Sequence, residues 1–225
     1  MNQRRSRLQL SVHLVGLVLV PLFTLVFAWR DRAFDYSGGA AKRFDEFAAH
    51  ADLLMGQSLL FLGAQLALIP AALAFVWLVH GRGRTLVLLG AGLYVVSALG
   101  HAAYSGTQIL LHRMLLADDQ DAMRAVFTSF DESPQFGMVA APGLLGLVLG
   151  SLLLGVGVIR SVELPWWIGA ALIAFLVAEF ALGGITDWGT LTAAAVWAVA
   201  FWGTAAHVWR SREHVIQPAG AASIV

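Results

Sequence analysis

The chain has 225 residues, of which 59% are hydrophobic and 12% charged, and its mean hydropathy is +0.75. A soluble domain carries roughly a quarter charged residues, so a water-exposed shell cannot be built here, and the same hydrophobicity excludes disorder. Lys and Arg (14) balance Asp and Glu (14), giving no basic excess for nucleic acid. Cysteine is absent, which removes disulfides, thiol nucleophiles and thiolate-bound metals.

A hydrocarbon core about 30 Å thick needs about 20 apolar residues of helix. Six stretches qualify, at 8–29, 53–79, 85–111, 136–159, 165–185 and 190–209. Backbone hydrogen bonds in lipid are satisfied only by helices or closed barrels, and long unbroken apolar runs select helices. The predicted fold is all-α, an integral membrane bundle of six transmembrane helices occupying residues 1–212, with a disordered cytoplasmic tail over 213–225.

The first span follows Arg4, Arg5 and Arg7 and ends in Val26-Phe27-Ala28-Trp29. Arg4-Arg5, the apolar run and Val26-Phe27-Ala28 resemble a signal peptide with a cleavage site after Ala28. The apolar run exceeds a normal signal core, however, and Trp29 suits an interfacial anchor, so the span is read as retained. An outer segment over 30–52 follows, with Phe44, Phe47 and a flexible Ser37-Gly38-Gly39. The second span places His50, Gln57 and Gln65 at spacings that share a helix face, and carries Pro70 at depth. Gly81 and Gly83 mark a short turn into the third span, where Ser97, His101, Tyr104, Gln108 and His112 form a polar stripe.

The second long outer segment, 112–135, carries Asp118, Asp119 and Asp121 ahead of Met123, Phe127 and Phe130 at helical spacing. That pattern predicts an amphipathic helix on the outer membrane surface, either capping the bundle or padding the lipid surface. The fourth span carries Gly143, Gly146, Gly150, Ser151, Gly155 and Gly157, a small-residue face for close helix packing and for a homo-oligomer contact. The fifth starts at Pro165, holds Glu179, and is interrupted by Gly183-Gly184; paired with Pro70 of the second, that interruption permits an inverted three-plus-three repeat. The sixth packs through Ala194, Ala198 and Ala205 beside Trp197 and Trp202.

Charge sets the orientation. With both termini cytoplasmic, the inner segments carry eight arginines (Arg4, Arg5, Arg7, Arg82, Arg84, Arg160, Arg210, Arg212) against two acids, Glu163 and Glu213. The two long outer segments carry six basic residues among ten acids, from Asp31 to Glu132. This is the positive-inside pattern of a multi-pass protein of a plasma membrane, bacterial inner-membrane type. Trp29, Trp77, Trp166, Trp167, Trp188 and Trp209 fall at span ends, as interfacial aromatics do.

An ionisable residue within a membrane costs roughly 2.5–3.5 kcal/mol on insertion scales, so it calls for a partner or a purpose. Glu179 lies about 21 Å along its helix from Pro165, and His101 about 25 Å from Arg84, which puts both in the outer third. Asp52 and Gln57 fall at a similar depth, with Asp187 at the outer rim. The expected site is therefore an outer-leaflet polar pocket between the second, third and fifth spans, formed by Glu179, His101, Tyr104, Gln108, Gln57, Asp52 and His50.

Such a pocket suits transport or binding of a small ligand, proton or cation. The alternatives are a non-catalytic membrane subunit or assembly factor, and a membrane enzyme acting on a lipid-like substrate with Glu179 and His101 as acid and base. No HExxH or GxSxG motif is present to assign a metal or a serine nucleophile. Histidines at two levels (His50, His101, His112; His13, His80, His207) do not by themselves specify haem, so the cofactor is left unknown. The lipid bilayer is the one partner that composition itself implies.

Overall fold

A computed structural model of the chain describes residues 2–182, 186 and 188–216, with side chains described between residues 8 and 210. Its described residues form eight helices: α1 (Asn2–Asp31), α2 (Ala40–Ala49), α3 (Ala51–Leu78), α4 (Arg84–Leu115), α5 (Gln120–Asp131), α6 (Pro134–Arg160), α7 (Trp166–Leu182) and α8 (Gly189–Ile216). Five of them, α1, α3, α4, α6 and α8, are long and apolar enough to cross a membrane. α7 is equally apolar but has 17 residues, about 26 Å of helix, and stops at Leu182 rather than 185. The Gly183-Gly184 interruption, Ile185 and Asp187 lie outside the described residues, as does the tail from Gln217. α8 continues to Ile216, past the expected boundary at 212.

Local sequence explains the helix ends. Gly83 precedes α4 with φ +89°, a left-handed conformation that a side chain would resist. The Asp119 side chain accepts from the backbone N–H of Ala122 at 3.0 Å to start α5, and Ser133 accepts from Phe136 ahead of Pro134 to start α6. Hydroxyls inside the long helices bond to their own backbone: Thr24 donates to Val20, Ser58 to Leu54 and Thr204 to Ala200.

The five long apolar helices and α7 close into a ring. α1 packs on α3, α3 on α4, α4 on α6, α6 on α7, α7 on α8, and α8 back on α1. The tightest seam is α4 against α6. A Cβ at Gly146 would sit 2.6 Å from the Leu93 carbonyl oxygen, and one at Gly150 would sit 2.6 Å from the Tyr94 ring. Gly155 and Gly169 meet likewise between α6 and α7. The small-residue face of α6 is thus occupied within the chain, which leaves Leu145, Leu149 and Leu152 as its outward side.

The half of the ring nearest the α3–α4 turn is solid. Leu17, Leu68, Phe75, Leu154, Ile168, Leu172 and Phe201 are almost completely buried there. The opposite end carries a cap. α2 and α5 lie against one another, with the Phe44 and Phe127 rings 5.7 Å apart and Phe47 edge-on to Phe127 at 6.3 Å. Ion pairs Arg43–Asp131 and Arg124–Asp45 stitch the same two helices together. Leu54 of α3 and Leu111 and Leu115 of α4 join this second core, so the amphipathic segments cap the bundle. A cation–π clamp holds the rim, with the Arg32 guanidinium 3.6 Å from the Trp188 ring centroid and 5.1 Å from that of Trp29.

Candidate functional site

Between the solid half and the cap the ring surrounds a partly open cavity of about 270 Å³. All six ring helices contribute to its wall. α1 supplies Thr24 and Phe27, α3 Phe61 and Gln65, α4 His101 and Tyr104, α6 Leu144 and Leu147, α7 Phe175 and Glu179, and α8 Thr190 and Trp197. Most of the lining is aromatic or aliphatic, with a few polar groups set into it, which is the composition of a small-molecule site.

The floor is rigid because aromatic rings fill it. Trp197 stacks on Phe175 at 5.2 Å and meets Phe201 edge-on at 4.8 Å. Its indole N–H donates to the Tyr94 hydroxyl at 3.3 Å, and that hydroxyl shares a 2.8 Å hydrogen bond with Ser151. Tyr94 is fully buried, so this triad ties α4, α6 and α8 together directly beneath the cavity.

His101 has a fixed role in the wall. Ser97 donates its only hydroxyl proton to the Gly143 carbonyl at 2.8 Å, so its oxygen accepts from His101 Nδ1 at 3.2 Å. That assigns the proton to Nδ1 and leaves Nε2 as an acceptor. Nε2 makes no hydrogen bond to any described residue. The ring is held against Phe61 at 5.3 Å and over Gly143, where a Cβ would come within 2.7 Å of it.

Gln65 is 6% exposed, and its side-chain oxygen is buried without a partner. The Glu179 carboxyl lines the same cavity and has no hydrogen-bond partner among the described residues. Buried polar groups are normally bonded. Gln65, His101 and Glu179 form a polar patch in the wall of an otherwise apolar chamber.

Of the residues expected at the pocket, Glu179, His101 and Tyr104 line this cavity. The others lie outside its wall. Gln108 lines a neighbouring chamber beneath the cap. Gln57 is buried, and its amide donates to Asp31 at 2.5 Å, where the Tyr36 hydroxyl also donates at 2.6 Å. Asp52 is exposed. His50 is exposed too, bonding through Nδ1 to the Glu46 carbonyl at 3.1 Å and packing edge-on to Phe34 in the cap. It sits at the break between α2 and α3, not on the α3 face, so the spacing from His50 to Gln57 does not describe one helix.

The cavity is also wider in membership than three helices. α7 packs on α6 and α8, and Glu179 faces α3 and α4 across the void. Thr24, Phe175 and the floor tryptophan went unrecognised because apolar ring-filling residues and a threonine bonded to its own backbone give no distinct signal in sequence. No group of three or more His, Asp or Glu suited to a metal ion occurs among the described residues. Compared with known proteins, the chain matches no family model, no curated protein and no solved structure.

Proposed function

We propose that the protein is a six-span plasma-membrane protein with cytoplasmic termini that binds a small molecule in its central cavity, reached from the capped, outward end. The carrying observation is that Gln65, His101 and Glu179 line one cavity of about 270 Å³, with His101 Nε2 and the Glu179 carboxyl unbonded among the described residues. His101 Nε2 is an acceptor as it stands, so the complementary ligand is compact, largely apolar and carries a hydrogen-bond donor.

The packed floor favours binding over an open pore. Transport would require the Tyr94–Trp197–Phe175 layer to rearrange. The excess of arginine at the end opposite the cap supports the orientation. α7, with 17 residues, is at the short end of spanning length and supports a sixth crossing on that basis.

Mass spectrometry of the purified, folded protein under non-denaturing conditions tests the reading. Leu147→Trp puts an indole into the cavity from α6. A small molecule retained by the wild type and lost from Leu147→Trp is the expected result. Equal retention in both proteins, or none in either, overturns the proposal.

A further inference from the structure

A second chamber of about 360 Å³ lies beneath the cap, between α4 and α5, and shares the Tyr104 side chain with the central cavity. Its wall is mainly hydrocarbon and aromatic, including Phe47, Leu111, Met114 and Phe127. The charges at its edge are already matched, since Arg43 is paired with Asp131. The wall's uncharged polar members, Tyr36, Tyr104, Thr107 and Gln108, are a minority. An ionic guest would therefore find no unmatched charge to replace its water, whereas a hydrocarbon guest would supply the contacts that the apolar lining lacks.

The mouth identifies where such a guest comes from. Leu110 and Val126 line the chamber and are 62% and 54% exposed. On α4 the exposed surface continues from Leu110 to Leu99 and Val96, the outward side of a helix long and apolar enough to cross a bilayer. An opening framed by aliphatic side chains and continuous with such a surface faces lipid rather than water.

We propose that this chamber is a binding site for the hydrocarbon chain of a membrane amphiphile, entering laterally between Leu110 and Val126 and ending against Tyr104. The site adjoins the central cavity at Tyr104 and stands whether or not that cavity is filled. Occupancy packs the underside of α5 and braces the Tyr104 ring, which is edge-on to Phe136 at 5.9 Å.

The test uses the full-length protein in phosphatidylcholine nanodiscs and a long-chain fatty acid with a diazirine at its methyl end. After photolysis, labelled peptides are mapped and the excess unlabelled fatty acid needed to suppress them is measured. The expected result is saturable labelling around Tyr104 and Phe136, strongly reduced by Val126→Trp, which narrows the mouth from an exposed position and leaves the core untouched. Leu99→Trp, on the same surface away from the mouth, leaves the labelling unchanged.

Labelling spread evenly over the outward faces of the helices and not suppressed by unlabelled fatty acid overturns the proposal. So does chamber labelling that is indifferent to Val126→Trp. Peptides carrying Phe61 and Leu147 report the central cavity independently. Label in the chamber alone supports the lateral site whatever the central cavity binds, and label at the centre alone counts against it.

Discussion

Replacing Tyr94 by phenylalanine probes the floor of the cavity with little change in shape. Tyr94 is fully buried, and its hydroxyl bonds to Ser151 at 2.8 Å and receives the Trp197 N–H at 3.3 Å. In lipid an interhelical side-chain hydrogen bond is worth about 0.6 kcal/mol on average and at most about 1.7, because the unfolded chain in the membrane also finds partners. The Trp197 bond is long and near the lower figure. Ser151 can turn to the carbonyl four residues earlier on its own helix, which softens the loss of the other. Tyr94→Phe is therefore expected to cost about 1–2 kcal/mol in reversible unfolding from mixed micelles by sodium dodecyl sulfate, followed by far-ultraviolet circular dichroism. Ser151→Ala on its own costs about 1 kcal/mol, and the double variant costs less than the sum by about 0.6–1.7 kcal/mol. A coupling below about 0.3 kcal/mol would mean that the two hydroxyls do not act as a pair, and the bonded floor would be refuted.

Gly146→Ala puts a methyl 2.6 Å from the Leu93 carbonyl oxygen and 2.7 Å from the Ser97 nitrogen, so it should force α4 and α6 apart and sharply reduce the yield of folded protein. Gly106→Ala, with nothing within 4 Å, should gain about 0.5–1 kcal/mol from helix propensity, read as a rise in midpoint in the same detergent titration. The Glu163 carboxylate accepts backbone N–H groups from Gly81 at 2.8 Å, Val162 at 3.1 Å and His80 at 3.3 Å, and its bond to Gly81 foremost holds it below its ordinary value of 4.5. A depressed carboxyl stabilises the fold above that ordinary value and loses its contribution as pH falls through the lowered one. Midpoints measured against pH should fall on acidification below about 4.5 and do so less in Glu163→Gln. Arg32→Gln removes the cation between Trp29 and Trp188 and should cost about 0.5–2 kcal/mol, whereas Arg32→Lys should retain part of it; equal losses in the two variants would contradict the clamp.

The sequence makes the long helices legible because an uninterrupted apolar run in a chain without a charged shell has few other solutions. It also marks α5, where Met123, Phe127 and Phe130 recur at helical spacing behind a capping aspartate. The partner of α5 is not legible in this way. Arg43 meets Asp131 across 88 positions, and no local pattern carries that information. Depth was recoverable by counting 1.5 Å per residue, and Glu179 and His101 do reach one level and one cavity. The direction in which a side chain points at that depth was not, because a helix break between α2 and α3 turns His50 into the cap. Gln57 shows the other limit: its partner Asp31 is on α1, the span whose interior-facing half looks purely apolar. The glycines of α6 announce close packing in the sequence, but only the ring order shows that the packing is with α4 and α7 of the same chain.

The central claim, that polar groups in the capped half line a real void above a solid floor, is tested most directly by cysteine accessibility, since the chain contains no cysteine of its own. Single cysteines at Gln65, His101 and Glu179 probe the cavity, and single cysteines at Leu68, Ala71 and Leu172, each at most 1% exposed, probe the packed half. Thiols react as thiolates, which form only where water enters. The account predicts that a small membrane-permeant methanethiosulfonate modifies the first three in the folded protein, more slowly when Leu147→Trp fills the cavity, and leaves the second three unmodified. Modification of both sets alike, or of neither, would contradict it.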